Sequence, residues 1–301
     1  MFPYSFIISK LWIDINLRNK SIFSPYQNFG LSKSFDIIGD IVIIRSIPNN
    51  SYTLEELKTF GQSLLNSHKN IKTVFFQSSS VEGTFRLRKL DYILGEKKTQ
   101  TFHKENNCVF SVDIEKCYFS PRLSHERWRI VQKVLPKEVI VNMFAGVGCF
   151  SILIAKWKEF TKGYSIDINP TAISFMKDNI RLNRVFGKVI PLLGDAKIIL
   201  KNKIPGVADR IIMPLPEKAF EYLPSAIISL KKSGGWIHYY DFEHGKKTSC
   251  VLDKIKFKVS KKLNSLGIAF NISASRIVRS IGPNWYQVVL DIHILKIPDS
   301  F

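Results

Sequence analysis

The segment NMFAGVGCF, residues 142–150, constrains the fold of this chain more than any other feature. It places Gly146 and Gly148 between a β-branched run, VIV, and an apolar run, SILIAKW. Glycine adopts backbone conformations that other residues rarely reach, and it lets the backbone approach a ligand closely. The pattern therefore predicts a buried strand, a tight loop and a helix, with room for a ligand at the loop.

Strand-like and helix-like segments alternate along the chain from about residue 113. Such alternation is typical of a parallel sheet with helices on both faces. The last two segments, GIAFNISASRIVRSI and WYQVVLDIHIL, are joined by the turn GPN and predict an antiparallel hairpin. The pattern resembles the Rossmann-like sheet of the class I methyltransferases. We therefore expect an α/β fold with a terminal antiparallel hairpin, preceded by a small α+β domain.

The residues before this alternation follow a different pattern. SFDIIGDIVIIRSIP predicts a strand pair around Gly39, and TLEELKTFGQSLLNSHK predicts a helix that begins with a capping box of Thr53 and Glu56. Two more strand-like runs follow, at 72–77 and 84–95. The predicted division is a short N-terminal appendage at 1–34, an α+β domain at 35–112 and a catalytic domain at 113–301.

Two aspartates follow successive strands of the predicted parallel sheet, at the carboxyl edge where ligands of such folds bind. Asp167 can accept hydrogen bonds from both ribose hydroxyls of an adenosine-type ligand. Asp195 is placed to accept one from an adenine amino group. Aspartates at strand ends also cap helices, so each alone is ambiguous. A dinucleotide is disfavoured because Phe150 and Ser151 stand where the third glycine of a GxGxxG motif would fall.

The charge balance indicates a polyanionic partner. The chain has 44 Lys+Arg against 25 Asp+Glu, a formal net charge of +19, and such a surface attracts nucleic acid. Lysine enrichment can also serve solubility alone. The apolar runs are too short to span a membrane, so we expect a cytoplasmic protein. The four cysteines fit no metal-binding or disulfide spacing, and buried thiols without a metal are expected.

Several segments together resemble the archaeal and eukaryotic tRNA guanine-37 N1-methyltransferases and their wyosine-pathway relatives. They are SFDIIGDIVII, GTFRLRKLDYILGE, CYFSPRLSHER, NMFAGVGCFSI, SIDINPTAI, and RIIMPLPEKA followed by GGWIHYYDF. The resemblance runs from about Phe35 to the last hairpin. It implies S-adenosylmethionine as cofactor and tRNA as substrate, gripped at the anticodon stem and the base at position 37. Members of this family generally act as monomers.

The resemblance also implies roles for individual residues. It places the general base on Glu126, the substrate-contacting arginine on Arg86 or Arg88, and an aromatic wall of the methionine and base pockets on Tyr118. A carboxylate would remove the guanine N1 proton while a cation stabilises the charge that develops on O6. Glu126 could instead merely stabilise the first turn of a helix that begins near Ser124. The predicted cofactor site comprises Tyr118, Phe144, Gly146, Gly148, Asp167, Ile168, Asp195 and Ala196.

One departure from the family pattern bears on the substrate. The guanine-N1 enzymes usually carry an asparagine in an N-L-P motif, whereas this chain has Pro214 and Pro216 in M-P-L-P. Proline cannot donate a hydrogen bond to a target base. This version resembles the wyosine branch, whose members methylate C7 of 4-demethylwyosine, some of them while also methylating guanosine N1.

We therefore predict methylation of nucleotide 37 at C7 of 4-demethylwyosine, which forms isowyosine, or at guanosine N1, or at both. The alternatives are a strictly guanine-N1 enzyme, a dehydrogenase-like enzyme, and a non-catalytic RNA-binding module that has kept the fold. If the appendage at 1–34 is a reduced tRNA-recognition domain, the anticodon arm should dominate binding.

Overall fold

The computed structural model describes residues 35–45, 52–159 and 162–298, and the chain divides into two compact units. The first unit ends at Thr99, and the second contains residues 82–87 and the chain from Gln100 onwards. The predicted appendage at 1–34 lies outside the described residues. The division falls earlier than the predicted boundary at residue 112, because residues 100–113 form a hairpin that bonds to a helix of the second unit.

The first unit is a four-stranded sheet with one helix. Its elements are β1 (Phe35–Ile38), β2 (Ile41–Arg45), α1 (Leu54–Ser67), β3 (Thr73–Gln77) and β4 (Leu90–Gly95), and its strand order is β1-β2-β3-β4. The helix begins with the predicted capping box of Thr53 and Glu56. Its apolar face packs on the sheet, with Phe60 and Val74 in the shared core. The strand predicted at 84–95 is too long, because Arg86 turns the chain with a φ of 56°.

The second unit holds a seven-stranded sheet and a separate two-stranded hairpin. Its first elements are β5 (Gln100–Glu105), β6 (Cys108–Asp113), α2 (Ser124–Lys133), β7 (Val139–Asn142), α3 (Cys149–Trp157), β8 (Lys162–Asp167), α4 (Pro170–Leu182) and β9 (Val189–Leu193). The remaining elements are α5 (Ala196–Asn202), β10 (Arg210–Met213), α6 (Pro216–Ser229), β11 (Gly235–His244), α7 (Thr248–Ser265), β12 (Ala269–Gly282) and β13 (Trp285–Lys296).

The strand order of the large sheet is β12-β13-β11-β10-β7-β8-β9. The five strands from β7 to β11 pair in parallel, and β13 pairs antiparallel with both β11 and β12. The central strands are apolar on both faces, since β10 is wholly buried, and helices cover them as expected for a parallel sheet. The predicted α/β sheet with a terminal antiparallel hairpin is therefore confirmed.

Some features have no counterpart in the sequence predictions. The hairpin of β5 and β6 and the short helix α5 were not predicted, and Cys250 is exposed rather than buried. Burial raises the pKa of Cys117 and of Cys149 to about 12, so both remain thiols at neutral pH. None of the helices that the structure describes has the length and apolar character needed to cross a membrane.

Candidate active site

The two glycines of the loop after β7 have different structural roles. Both have positive φ, 54° at Gly146 and 92° at Gly148. A Cβ atom on Gly148 would lie 2.7 Å from Cγ of Met176, so this glycine allows α3 to pack closely. A Cβ atom on Gly146 would meet nothing closer than the carbonyl oxygen of Tyr118, at 3.7 Å. Gly146 therefore leaves open space beside the loop backbone, as a ligand site requires.

Asp167 at the end of β8 bonds to this loop. Gly146 donates its backbone N–H to Oδ2 of Asp167 at 2.6 Å, and Asn169 donates its backbone N–H to Oδ1 at 2.9 Å. Burial raises the pKa of Asp167, although these backbone hydrogen bonds oppose the shift. The structure thus brings together the loop and the carboxylate that the sequence placed on successive strands. The side chain of Ile168, next in the chain, is 43% exposed.

Asp195 at the end of β9 has two partners. Its Oδ1 accepts the backbone N–H of Lys197 at 2.7 Å and so caps α5, whose first residue, Ala196, is buried. Its Oδ2 accepts a hydrogen bond from the Tyr222 hydroxyl at 2.6 Å. The Tyr222 ring packs edge-on against Phe144, with centroids 5.2 Å apart. Burial, together with the bond to Asp195, raises the pKa of Tyr222, which therefore remains a hydrogen-bond donor.

The sequence predictions missed Tyr222. It lies on α6, far along the chain from Asp195, and only the fold brings the two together. The fold also brings Lys197 of α5 to Tyr222, with its ammonium group 4.5 Å from the centroid of the Tyr222 ring. No sequence motif marks either residue, so the sequence offered no signal for them.

A second group of side chains surrounds Tyr118. The Arg86 guanidinium lies over the Tyr118 ring, 4.9 Å from its centroid, and forms an ion pair with Glu217. Although burial alone would lower it, the contacts with Glu217 raise the pKa of Arg86. Arg279 donates to the Ser120 hydroxyl at 3.1 Å and approaches the Tyr118 hydroxyl at 3.5 Å. We call Arg86, Tyr118, Glu217 and Arg279 the open cluster.

The loop after β10 leads into this open cluster. Pro214 lies in this loop and is half-buried, and Pro216 is the buried first residue of α6. Glu217 follows directly and is exposed. Because neither proline has an N–H group, the backbone offers no donor at either position.

Arg88, the other candidate arginine, belongs to the first unit. Its side chain is 9% exposed, pairs with Asp36 at 3.8 Å and donates to Gln77 at 3.3 Å. Of the two predicted arginines, the structure therefore brings Arg86 to Tyr118.

Glu126 lies in the first turn of α2 and is only 2% exposed. Arg129 binds both of its carboxylate oxygens, with its Nη2 2.7 Å from Oε1 and its Nε 3.0 Å from Oε2. The Tyr240 hydroxyl donates to Oε1 at 2.6 Å, and Arg276 lies 3.4 Å from Oε2. In this arrangement every oxygen of Glu126 has a partner.

The contacts of Glu126 continue into a chain of buried charges. Arg129 also pairs with Asp291 at 2.6 Å, and Asp291 accepts from Nδ1 of His238 at 2.6 Å. Nη1 of Arg210 lies 2.8 Å from Nε2 of His238, so this nitrogen accepts and the ring is neutral. Burial lowers the pKa of His238, which agrees with a neutral ring. We call Glu126, Arg129, Asp291, His238 and Arg210 the buried ion cluster.

The strand order and the glycine loop after β7 are those of the class I methyltransferase fold. Residues 101–266 match the TRM5/TYW2 methyltransferase domain, and residues 20–99 match the TYW2 N-terminal domain. The chain therefore belongs to the TRM5/TYW2 methyltransferase family, which confirms the predicted family, the fold class and the prediction of a methyltransferase.

Two curated relatives cover most of the chain. The Pyrococcus abyssi tRNA (guanine(37)-N(1))-methyltransferase Trm5b is 41% identical over 88% of this chain and 76% of its own length. The Saccharolobus solfataricus tRNA 4-demethylwyosine(37)-methyltransferase Taw21 is 38% identical over 86% of this chain and 93% of its own length.

Two solved structures have the same fold. The complex of aTrm5 with tRNALeu has a TM-score of 0.75 and 37% identity, over 92% of this chain and 77% of that one. The Methanocaldococcus jannaschii Trm5 in complex with adenosine has a TM-score of 0.74 and 36% identity, over 92% of this chain and 79% of that one.

Proposed function

We propose that this protein transfers a methyl group from S-adenosylmethionine to nucleotide 37 of tRNA. The proposed acceptor is C7 of 4-demethylwyosine, N1 of guanosine, or both. The observation that carries the proposal is the meeting of Gly146 and Asp167 at the carboxyl edge of a class I methyltransferase sheet. Relatives that act on either nucleotide cover most of the chain. The cytoplasmic location and the monomeric state stay predictions.

The residues at the loop fit an adenosine-type cofactor. Gly146 leaves space beside the backbone, and Asp167, which accepts the Gly146 N–H, would accept hydrogen bonds from the ribose hydroxyls. The exposed apolar side chains of Ile168 and Leu193, 43% and 54% accessible, offer a surface that a purine ring could cover. Asp195 would accept a hydrogen bond from the adenine amino group. When bound, the cofactor supplies an electrophilic methyl group on a positively charged sulfur.

The open cluster is the proposed site of the target base. The backbone of Tyr118 borders the glycine loop, and its ring offers an aromatic face. The Arg86 guanidinium lies over that ring and supplies a cation there. The guanidinium would stabilise negative charge that develops on the base oxygen during attack. The position of Pro214, without a donor, suits a tricyclic base that needs no amide contact there.

Proton removal distinguishes the two acceptors. At guanosine N1 a methyl–nitrogen bond would form as the sulfur–methyl bond of the cofactor breaks, and a carboxylate would take the N1 proton. At C7 of 4-demethylwyosine the ring carbon would displace the same sulfur first, and the C7 proton would then leave to solvent water and restore the aromatic ring. We propose Glu126 as the base for N1. Because its oxygens are occupied, this role requires that substrate binding releases one contact, and Arg276 at 3.4 Å makes the longest.

The test uses S-adenosylmethionine labelled in its methyl group, with tRNA that carries either guanosine or 4-demethylwyosine at position 37. After digestion, the labelled nucleoside identifies the acceptor atom. We expect label in isowyosine, in 1-methylguanosine, or in both.

Label in neither tRNA would contradict the proposed function. Label in guanosine alone would contradict the interpretation of Pro214. A product that gains mass without the label would show that a different group of the cofactor is transferred.

A further inference from the structure

Three strands of the second unit continue past the carboxyl edge of the sheet. The last register pair between β10 and β11 joins Met213 to Tyr239, whereas β11 continues to His244, paired there with Trp285 of β13. Strands rise about 3.3 Å per residue, so residues 240–244 extend roughly 17 Å beyond that last pair. We call this extension the projecting arm. It consists of residues 240–244 of β11, 276–282 of β12 and 285–289 of β13.

The base of the projecting arm contacts the open cluster. Arg279, on β12, donates to the Ser120 hydroxyl and approaches the hydroxyl of Tyr118. Its Nε also donates to Gln287 of the neighbouring strand at 2.8 Å, which fixes the guanidinium to the arm. The arm therefore rises directly beside the residues that we propose hold the target base.

The tip of the projecting arm combines an exposed aromatic residue with lysines. Trp285 is 46% exposed, and its ring centroid lies 5.4 Å from that of His244. Lys246 and Lys247 follow β11 and are exposed. Across residues 35–45, 52–159 and 162–298, no acid lies within ion-pair distance of either lysine. Lys254 donates to the His244 carbonyl at 2.9 Å and pairs with Glu243 at 3.5 Å, so its ammonium group is bonded to the end of β11.

We propose that this tip binds the RNA strand next to the target nucleotide, with Trp285 stacked on a base and with Lys246 and Lys247 on phosphates. The inference rests on the proposed function, because a nucleotide held at Tyr118 brings its neighbours in the strand alongside the arm. Proteins bind single-stranded nucleic acid through such pairs of aromatic platforms and basic groups. Nucleotides of an RNA loop are unpaired and can stack in this way.

The experiment uses the full chain and compares three changes at the tip. They are the double substitution Lys246→Glu with Lys247→Glu, Trp285→Ala, and Trp285→Phe, which keeps an aromatic ring. The matched control is Lys201→Glu with Lys203→Glu. Both lysines are exposed, Lys201 in the last turn of α5 and Lys203 directly after it, where the chain runs away from the carboxyl edge of the sheet. The control makes the same change of net charge.

Equilibrium binding of a tRNA transcript with guanosine at position 37 is measured over a range of salt concentrations. The lysine double variant should bind roughly tenfold more weakly. Its plot of log affinity against log salt should be less steep, by about one to two in the magnitude of the slope. Trp285→Ala should weaken binding about fivefold or more, at all salt concentrations, and Trp285→Phe should restore most of that loss. S-adenosylmethionine binding should be unchanged in every variant, which shows that each is folded.

Two results separate the inference from the proposed function. If the wild-type protein methylates tRNA but the tip variants bind it like the control, the arm does not contact the RNA and the proposed function stands. If the wild-type protein neither binds nor methylates tRNA, the proposed function fails and the inference with it. If Trp285→Ala loses cofactor binding, it is misfolded, and the tRNA affinities of the lysine double variant and of Trp285→Phe test the inference instead.

Discussion

The buried ion cluster and the open cluster contain the same kinds of side chain in opposite surroundings. In the buried ion cluster, Glu126 and Asp291 are almost fully enclosed, and each is held by arginine. In the open cluster, the ion pair of Arg86 and Glu217 is partly exposed, with side-chain accessibilities of 19% and 48%. Removing one partner of a buried pair leaves an uncompensated charge, whereas an exposed pair contributes little stability. Substitutions in the buried ion cluster should therefore lower stability strongly, whereas those in the open cluster should affect catalysis with little change in stability.

The largest expected effect is on stability, at the centre of the buried ion cluster. Asp291→Ala should lower the free energy of unfolding by about 3–5 kcal/mol, because Arg129 loses a buried partner. Burial alone would raise the pKa of Asp291, but its bonds with His238 and Arg129 hold that pKa far below the ordinary value. Its contribution is therefore complete above about pH 4 and is lost as the pH falls further. Urea unfolding of the wild-type protein and the variant at several pH values measures the loss of unfolding free energy and its dependence on pH.

The matched control for this variant is Asp253→Asn, which neutralises an exposed aspartate on α7 that pairs with Lys256. It should change the free energy of unfolding by less than about 0.5 kcal/mol. Equal effects of the two substitutions would contradict the distinction between the clusters.

Glu126→Gln should affect both stability and chemistry, since Glu126 belongs to the buried ion cluster and is the proposed base. We expect the free energy of unfolding to fall by about 1–3 kcal/mol. Single-turnover methylation of guanosine N1 should fall roughly 100-fold, and methylation of 4-demethylwyosine should fall less, because the ring carbon attacks before its proton leaves. Unchanged N1 methylation by the folded variant would restrict Glu126 to a structural role.

The two arginines sharpen the comparison further. Arg86→Lys keeps the charge but loses the planar fork, so we expect kcat to fall roughly tenfold while the free energy of unfolding changes by less than about 0.5 kcal/mol. Arg88→Lys should do the reverse and lower stability with kcat within about twofold of wild type, because Arg88 pairs inside the first unit. Steady-state kinetics and urea unfolding on the same preparations distinguish them. A larger loss of kcat in Arg88→Lys would exchange the two assignments.

Acid should affect cofactor binding before it affects the buried ion cluster. The pKa of Asp167 is raised by burial, whereas that of Asp291 is lowered. In the proposed cofactor site the ionised Asp167 accepts hydrogen bonds from the ribose, so the Kd for S-adenosylmethionine should rise as the pH falls through the raised pKa. Calorimetric titration of the cofactor from neutral pH downwards measures this, and Asp167→Asn should bind weakly with a flat pH profile. A wild-type Kd independent of pH would contradict the placement of Asp167.

The smallest effect is expected at Glu217. Glu217→Gln should lower kcat about threefold, since a half-exposed ion pair contributes at most about 1 kcal/mol to holding Arg86 over the Tyr118 ring. In an Arg86→Lys background the same substitution should have no further effect, because the group that it positions is already changed. If the two substitutions instead lower kcat additively in the double variant, Glu217 acts independently of Arg86.

The parts of the fold that follow from local pattern could be predicted from the sequence. The glycine loop, the alternating segments and the final hairpin each depend on a few neighbouring residues, and the structure confirms them. The helix α5 was not predicted because its seven residues are too few for a clear apolar period. The hairpin of β5 and β6 carries polar residues such as Gln100 and Lys104, which weaken the strand pattern.

The candidate site was predictable only where a motif marks it. Gly146 and Asp167 follow from their positions at successive strand ends, since the topology forces these ends together. The hydroxyl partners of Asp195 and Glu126 could not be predicted, because Tyr222 and Tyr240 come from distant parts of the chain. The resemblance that named Glu126 carried no information on its burial, which depends on the packing of α2 against the sheet.

The most direct test of the central claim is a crystal structure of the protein with S-adenosylhomocysteine. The account predicts the ribose hydroxyls on the carboxylate of Asp167, the adenine between Ile168 and Asp195, and the sulfur facing Tyr118 and the open cluster. A ligand bound elsewhere on the protein, or a loop at Gly146 closed by its neighbours in the presence of the ligand, would contradict it.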